Sequence, residues 1–529
     1  MRILSFFLIT LLLWGCGERA QEVVETRPLR LCFGSPVRTL DPRLGGESPS
    51  AHLIRMLFEG LMRYNENGVL SPAGAESYEV SDDLKTYIFH LRKTFWTDGM
   101  MVTAHDYEYA WKKSLNPETL SHGSQHFYFI KNAELSAEGK ISVDELGVKA
   151  LDDNTLRVEL EYPASHFLST LGSTLFSPIP KHIDKINPSW AHHLDNYLVS
   201  NGPFKLKKYQ WGNQVIVEKN QIYWDKEQVK LSEIQIEFVE NAMTALYLYE
   251  KNQIDLMGGP MSKLPLEALK NLKKDPNFRS VESTYVYWFF VNTRAFPFTN
   301  KKIRKALAYA IDRASLVNHI WGGGGQVATG VVAPCFQINH SPHFKDGSFD
   351  EAKKLFQEGM QELGLTKETF PEITISYPPE VEAFSRTAQI VQQYWQKALD
   401  IKVELKQSEW PVHFTSIQKG NYQIGLMGWT TFICDPIYML QTFKHKSEMA
   451  NMSRWENFEY QRLLDIANET LDLKGRNQAF IEAESLLMEE MPVIPLCFMN
   501  LEFLQRSELI GVNMPPSGEI DFKYASFSQ

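Results

Sequence analysis

The chain has 529 residues, of which 43% are hydrophobic, 22% charged and 12% aromatic. Single hydrophobic cores stop growing near roughly 250 to 300 residues, so two or three domains are expected. The formal net charge is −10 and no dense Lys/Arg block occurs, so the chain offers a nucleic-acid backbone little to bind and no nucleic-acid partner is expected.

The cysteines give no sign of a metal centre. They are widely spaced, without a Cys-x-x-Cys pair or a His cluster at ligand intervals, so neither a metal site nor a cofactor is predicted. The last four could pair in an oxidising compartment, but their spacing does not select partners and free thiols fit equally well. The five are Cys16, Cys32, Cys335, Cys434 and Cys497.

The first residues have the pattern of a signal peptide. Arg2 precedes an apolar stretch over residues 3–13 that only Ser5 and Thr10 interrupt. This stretch is much shorter than the roughly 20 apolar residues that a membrane-spanning helix needs, and no other segment is long and apolar enough. We therefore expect residues 1–15 to be removed on export.

Leu13-Trp14-Gly15-Cys16 resembles the bacterial lipobox, although Trp14 stands where a small residue is usual. The resemblance implies lipid attachment at Cys16, which would become the first residue of the mature chain. Residues 16–28 are then a polar tether that holds a soluble body in the periplasm or at the outer face of the cell membrane.

From Leu29 onward, strand-like and helix-like runs alternate, with turn signals at Asn67-Gly68 and Asp98-Gly99. The fold class is therefore mixed α/β. A capping box at Thr103 and Asp106 predicts a helix start. The apolar face of that helix is expected to lie in the core and consists of Tyr107, Ala110, Trp111 and Leu115.

A second amphipathic helix is predicted after Thr299 or Asn300, because apolar residues recur there at three- and four-residue steps. These are Ile303, Ala306, Leu307, Ala310 and Ile311. The glycines at 322–325 lack the Gly-Lys-Ser/Thr ending of a phosphate cradle and are predicted to form a loop.

The following stretch is predicted to form an α/β lobe of its own. Strands are expected at residues 373–377, 401–405 and 422–429, and helices at 388–399, 460–471 and 478–488.

Several blocks resemble the peptide/nickel class of bacterial solute-binding proteins, the oligopeptide-binding proteins in particular. The most specific covers residues 75–111 and contains the Trp-x-Asp-Gly turn and the Val-Thr-Ala-x-Asp helix start. Shorter blocks are Thr39-Leu40-Asp41-Pro42, Leu57-Phe58-Glu59-Gly60-Leu61, Ser200-Asn201-Gly202-Pro203-Phe204, Tyr223-Trp224-Asp225 and residues 290–313. The resemblance covers nearly the whole mature chain.

The resemblance implies a two-lobed periplasmic-binding-protein-like fold of type II, peptide class, with an extra small domain inserted in the first lobe. Domain I is expected at residues 29–60, 178–285 and 500–529. Domain II, the insert, is expected at 61–177, and domain III, the second lobe, at 286–499. A hinge would let the lobes close over a ligand.

The family pairs the ligand's main chain with two protein segments, one just before the Leu-Asp-Pro motif and one at the Gly-Trp strand end. The residues implied here are Pro36, Val37 and Arg38, together with Met427, Gly428, Trp429 and Thr430. The resemblance also places Trp410 and Trp429 in the pocket wall, where flat aromatic surface accepts varied side chains. Two ordinary core tryptophans are the alternative.

The charged anchors of the family are missing at the expected places. Phe432 stands where relatives use an Asp for the ligand's ammonium group, and Ile417 and Leu426 stand where relatives have basic residues. Asp435 belongs to a structural Asp-Pro pair and is a fallback for the missing charge. His413, Lys419 and Asn451 are expected at the solvated surface, and only Asn451 is kept as a candidate contact.

These residues predict a monomeric, non-enzymatic protein that captures oligopeptides and delivers them to the permease of an ABC importer. An enzyme is not expected, since Gly-x-Ser-x-Gly, His-Glu-x-x-His and zinc spacings are all missing. The missing anchors favour a blocked or cell-wall-derived peptide, or one that is held by its side chains. A nickel, haem or dipeptide carrier of the same family and a receptor that signals without transport remain alternatives.

Overall fold

The computed structural model describes residues 27–45, 48–119, 121, 123–192, 197–338, 341–431, 433–447 and 450–528. The predicted signal peptide, Cys16 and Phe432 lie outside these residues. The predicted domain ranges stay a prediction, and we use them as names: the first lobe, the inserted domain and the second lobe.

The described residues form strands and helices in alternation, as the mixed α/β class requires. The strands are β1 (Leu29–Phe33), β2 (Met62–Tyr64), β3 (Leu70–Pro72), β4 (Ala75–Val80), β5 (Thr86–Leu91), β6 (Val148–Ala150), β7 (Thr155–Glu159), β8 (Phe204–Gln210), β9 (Gln214–Lys219), β10 (Glu233–Phe238), β11 (Leu256–Gly258), β12 (Phe278–Val291), β13 (Gly325–Val327), β14 (Ile373–Tyr377), β15 (Val403–Gln407), β16 (Ile424–Trp429), β17 (Val493–Gln505), β18 (Leu509–Ile510) and β19 (Ser526–Phe527).

The helices are α1 (Ser48–Leu57), α2 (Ala104–Ser114), α3 (Ala133–Ala137), α4 (Phe167–Thr170), α5 (Lys181–Asp184), α6 (Ala242–Glu250), α7 (Leu266–Leu272), α8 (Lys301–Tyr309), α9 (Arg313–His319), α10 (Phe349–Glu362), α11 (Glu382–Leu399), α12 (Trp410–Gln418), α13 (Ile437–Leu440), α14 (Phe458–Glu469) and α15 (Leu473–Glu490). None of these helices in the described part has the length and apolar character of a bilayer-spanning segment.

One sheet of eleven strands runs through both lobes in the order β15-β14-β16-β12-β17-β11-β1-β10-β9-β8, with β13 also paired to β17. The long antiparallel strands β12 and β17 lie at its centre and belong to both lobes. We call the pair β12 and β17 the ribbon. Strands on one side of it belong to the first lobe, and strands on the other side belong to the second.

The sequence of β12 explains its central position. Phe289 and Val291 face one apolar core of the second lobe, whereas Val286, Trp288 and Phe290 face the other, and all five are fully buried. A strand covered on both faces must be apolar at nearly every position.

The ribbon changes register between the lobes. Glu282 pairs with Asn500, but the next pair is Val286 with Phe498, so β12 carries extra residues at this point. Ser283 Oγ donates to the main-chain oxygen of Met499 at 2.5 Å, which holds the bulge in place. An irregularity of this kind bends a strand locally, and we call it the ribbon break.

The inserted domain carries its own sheet, β4-β5-β7-β6, covered by α2. The main-chain N–H of Thr103 donates to the carboxylate of Asp106 at 2.8 Å, so the predicted capping box is confirmed. The predicted apolar face of α2 is also confirmed as core, since Tyr107, Ala110, Trp111 and Leu115 are each at most 1% exposed.

Asn300 caps α8, and its Oδ1 accepts from the main-chain N–H groups of Lys302 and Ile303. The predicted apolar residues of this helix are buried, but α8 ends at Tyr309, and α9 begins after a new cap at Asp312. Of the glycines at 322–325, Gly322 and Gly323 form a turn with positive φ angles of 64° and 67°, and Gly325 begins β13.

The predicted second-lobe elements are all present. Strand β14 has the predicted bounds, β15 begins and ends two residues later than expected, and β16 begins at Ile424. Helices α11, α14 and α15 lie where helices were predicted, and all three start earlier along the chain than expected.

Candidate functional site

Two strands end at the ribbon break from opposite lobes. In the first lobe, Leu31 of β1 lies beside Leu256 of the parallel strand β11, and Gly258 pairs with Phe503 of β17. Strand β1 therefore runs toward the break. In the second lobe, Trp429 at the end of β16 pairs with Val286. The carboxyl ends of strands in open α/β sheets border ligand crevices, which places a candidate cleft here.

The predicted contact residues of the first lobe follow β1 directly. Pro36 is half-buried, Val37 is fully buried and Arg38 is exposed, in a stretch without regular structure. The main-chain oxygen of Val37 accepts a hydrogen bond from Tyr209 Oη at 3.2 Å, which anchors the segment to β8. The segment is thus held in position beside the cleft.

The predicted contact residues of the second lobe lie on β16 and just after it. Met427 is buried, Gly428 and Trp429 are half-buried, and Thr430 is exposed. In the described residues β14 pairs with β16 only at Ile424 and Gly425. From residue 426 to 429 the outer edge of β16 therefore has no partner strand.

A polar contact on that edge indicates which main-chain groups face outward. His413 Nε2 lies 3.0 Å from the main-chain oxygen of Leu426, on the side away from β12. Successive residues of a strand present their N–H and C=O groups to opposite sides, so we infer that Gly428 presents its groups to the same side as Leu426. An extended chain could pair there.

Aromatic rings surround this edge. Trp429 stacks on Trp288 with 5.9 Å between ring centroids and lies edge-on to Phe290 at 5.8 Å. Trp410, the first residue of α12, is 42% exposed and packs against Phe414 at 5.7 Å. Trp429 is therefore partly buried in the core, whereas Trp410 is exposed to solvent.

The sequence analysis missed a second aromatic group at the ribbon break. Tyr285 lies edge-on to Tyr287 at 5.1 Å, and Tyr287 stacks on Trp321 at 4.2 Å. A Cβ on Gly428 would come within 2.5 Å of Tyr285 Oη, so these rings cover the strand end closely. Burial raises the pKa of Tyr285, which keeps its hydroxyl neutral and able to donate or accept. The sequence signal that could have predicted this aromatic group is the alternation Tyr285-Val-Tyr287 just before a buried apolar run.

Asp435 is already engaged by the protein. Both of its carboxylate oxygens lie within hydrogen-bond distance of Arg476 Nη2, at 2.7 and 2.8 Å, and its Oδ1 accepts from the N–H of Ile437 at 3.0 Å. The side chain is buried, so its charge is balanced inside the second lobe.

Asn451 and His413 are buried, and the expectation that they lie at the solvated surface was wrong. Asn451 Nδ2 donates to the main-chain oxygens of His445 and Trp455, and its Oδ1 accepts from Ser453 Oγ at 2.7 Å. These bonds tie His445, Ser453 and Trp455 to Asn451. Lys419 is exposed, as expected, while Ile417 and Leu426 are fully buried.

The inserted domain is in contact with the second lobe, so the cleft is closed at that place. The main-chain N–H of Ser165, in the inserted domain, donates to the main-chain oxygen of Asn468 in the second lobe at 3.3 Å, and Ser165 Oγ donates to that of Ala467 at 3.4 Å.

Across the described ranges, no group of three or more His, Cys, Asp or Glu side chains is arranged to hold a metal ion. The thiols of Cys32, Cys335, Cys434 and Cys497 are free. Burial raises the pKa of Cys32 to about 11 and that of Cys335 to about 12, so both remain protonated near neutral pH.

Comparison with known proteins agrees with this architecture. Residues 69–451 match the model of bacterial extracellular solute-binding proteins, family 5. The chain is 37% identical to the oligopeptide-binding protein OppA of Bacillus subtilis over 99% of both chains. It is 32% identical to the dipeptide-binding protein DppE of the same species, covering 92% of this chain and 89% of that protein.

The fold is shared with the murein tripeptide-binding protein MppA of Escherichia coli, a solved structure. The two superpose with a TM-score of 0.79 at 26% identity, covering 95% of this chain and 99% of the other. The match confirms the predicted type II, peptide-class binding-protein fold. On this sequence and structural similarity, the chain belongs to the family 5 bacterial extracellular solute-binding proteins, a family of transport proteins.

Proposed function

We propose that the chain is the extracytoplasmic substrate-binding component of an ABC importer, that it encloses oligopeptides between its lobes and that it delivers them to the permease. The observation that carries this proposal is the outer edge of β16 at residues 426–429, which has no partner strand among the described residues and ends at the ribbon break that β1 also approaches. All peptides share a backbone, so pairing with main-chain groups suits a receptor of broad specificity. The name of the B. subtilis OppA relative points the same way.

The roles of the predicted site residues belong to this proposal. Main-chain groups of the 36–38 and 427–430 segments pair with the ligand backbone, and Trp410 and Trp429 receive its side chains. Phe432, which lies outside the described residues, occupies the place of the family's ammonium ligand. Asp435 and Asn451 support the wall through the contacts they already make.

The ligand class follows from the engaged carboxylate. A free α-ammonium group buried in the cleft would need a counter-charge, and Asp435 already neutralises Arg476. We therefore propose that the preferred ligand is a peptide with a blocked amino end or a cell-wall-derived peptide. The murein tripeptide named for the E. coli MppA structure belongs to the second class.

Native mass spectrometry of the purified protein is the direct test, followed by calorimetric titration with three probes. These are trilysine, N-acetyl-trialanine amide and a murein tripeptide. A bound peptide in the spectrum and preference for either of the last two probes are expected. Tight binding of trilysine alone would disprove the ligand class but leave peptide binding intact, and failure of the whole panel would disprove both.

A dipeptide-binding function is the second candidate, because the B. subtilis DppE relative carries that name at 32% identity. Titration with dialanine and trialanine under the same conditions separates the two. A dipeptide carrier would bind dialanine more tightly. Absorbance and elemental analysis of the same sample would reveal haem or nickel.

Export, lipid attachment at Cys16, a monomeric state and the lack of catalysis complete the proposal. Incorporation of labelled palmitate should be lost in Cys16→Ser, and the variant should leave the membrane fraction. A bound peptide should be recovered with unchanged mass after prolonged incubation, whereas cleavage products would show an enzyme. Light scattering should give the mass of one chain.

A further inference from the structure

One tyrosine of the second lobe packs against two histidines of the inserted domain. Tyr438, the second residue of α13, is 7% exposed. Its ring lies 5.5 Å from that of His166, edge-on at 89°, and 6.2 Å from that of His126, tilted by 37°. Both histidines belong to the inserted domain, so the three rings meet only while the cleft is closed.

The surroundings of His166 combine both domains. The ring is 2% exposed and lies edge-on to Phe129 of its own domain at 5.8 Å. From the second lobe, Asp435 attracts a proton on His166 and Arg476 repels it, and Asn468 lies close to the ring. Burial has the largest effect and disfavours the charged ring, followed by the attraction of Asp435 and then the repulsion of Arg476.

His126 has a simpler environment. It is half-buried, and its Nε2 lies 3.3 Å from Gln125 Nε2. Farther along the same interface, Glu134 of the inserted domain interacts with His445 of the second lobe. Burial lowers the pKa of His126 to about 4, and burial is also the main cause that lowers the pKa of His166 to about 4.

We propose that Tyr438 and the two histidines that flank it form an interlobe latch, which stabilises the closed cleft while both imidazoles are uncharged and releases it when they are protonated. His126, His166 and Tyr438 are thus positioning residues for ligand capture. The inference rests on the proposed peptide-binding function, since closure is what retains the ligand.

The direction of the pH effect follows from linkage. In an open cleft the imidazoles face water and titrate near the ordinary pKa of about 6.5. Closure lowers that pKa, so the closed state is fully favoured above about pH 6.5 and is progressively lost as pH falls toward 4. At pH 5.5 one fully exposed histidine accounts for about a tenfold shift. His166 keeps Phe129 beside it in both states, so we expect a combined weakening of about 10- to 100-fold.

The experiment follows two readouts at pH 7.5 and 5.5. Peptide affinity is measured with trialanine and N-acetyl-trialanine amide, and the radius of gyration is measured by small-angle X-ray scattering without ligand. The double variant His126→Gln, His166→Gln keeps neutral polar side chains at both places. Its control is His182→Gln, which changes a first-lobe histidine that pairs with Asp98 of the inserted domain, away from the second lobe.

The wild type and His182→Gln should bind about 10- to 100-fold more weakly and expand at pH 5.5. The double variant should stay within about threefold of its pH 7.5 affinity and keep its radius of gyration. Tyr438→Ala should raise the dissociation rate and expand the unliganded protein at both pH values.

The outcomes separate the latch from the proposed function. An equal pH dependence in the double variant and the wild type would overturn the latch while peptide binding stands. If neither peptide binds but the wild type alone expands at low pH, the latch stands and the function falls. A wild type that is already expanded at pH 7.5 without ligand and binds neither peptide would overturn both.

Discussion

Gly428 is the position at which one added methyl group tests the cleft most directly. A Cβ there would lie 2.5 Å from Tyr285 Oη and 2.8 Å from Tyr287 Cε1, so Gly428→Ala must displace both rings from the strand end. We expect peptide affinity to fall at least about fivefold, in line with overpacking costs of about 1–3 kcal/mol. Calorimetric titration checks the loss.

Tyr285→Phe provides the matched control, because it removes the nearest of the colliding atoms. Combined with Gly428→Ala, it should recover part of the lost affinity, while alone it should have a smaller effect. Equal affinities for Gly428→Ala and the wild type would show that the ligand does not approach this strand end.

The ion pair of Asp435 and Arg476 yields a stability prediction. Arg476→Met leaves a buried carboxylate without its counter-charge, so the free energy of unfolding should fall by about 3–5 kcal/mol. Adding Asp435→Asn removes that charge and should restore most of the loss. Urea denaturation of both single variants and the double variant measures the coupling, and additive losses would contradict the pairing.

At this scale the sequence predicts residue type better than residue role. The strand that ends at Gly428 and Trp429 was predicted from the chain itself, and β16 ends there. The partner of Asp435 does not, since Arg476 lies 41 positions away on a separate helix. His413 likewise looks like a surface residue in the sequence, and only folding brings it against Leu426.

Strand β16 carries the prediction that belongs to whole elements. A ligand paired along its outer edge presents alternate amides to the protein, because strand groups alternate in direction. Single N-methylation along a blocked tetrapeptide should therefore weaken binding about tenfold at every second amide and little at the others, as expected for one lost hydrogen bond of about 1–1.5 kcal/mol. Competition titration gives the pattern, and a uniform loss would argue against strand pairing.

Elements with strong local signals were predicted well, and their ends less so. Strand β14 has the predicted bounds because its alternating pattern lies between Pro371-Glu372 and Pro378-Pro379. Helix α8 stops at Tyr309, short of the predicted apolar face, because Asp312 caps a new helix through the N–H of Ser315. The start of α9 depends on tertiary packing, because Arg313 is fully buried and its Nε donates to the main-chain oxygen of Pro495.

The whole molecule should lose stability in mild acid through its buried histidines. His52 is 1% exposed, and burial lowers its pKa to about 4. The unfolded chain binds its proton near pH 6.5, so stability is full above that pH and declines toward pH 4. We expect His52 alone to cost about 2 kcal/mol between pH 7 and 5. The decline should be correspondingly smaller in His52→Gln, as measured by urea unfolding, and an unchanged slope would contradict it.

The sequence resemblance implied two lobes, but not that one sheet runs through both. The pairing of β11 with β17 joins residues 256–258 to residues 503–505, a separation that local patterns cannot specify. Register at the ribbon break is equally a tertiary property, since it depends on Ser283 reaching the oxygen of Met499.

The central place of β17 has a consequence for the order in which the protein can assemble. Strand β17 comes from residues 493–505, yet it lies between β12 and β11 at the middle of the sheet. A chain emerging from its amino terminus cannot complete either half until almost the last residues have arrived. Early completion of the sheet is thereby avoided, as the export proposed for this chain would require.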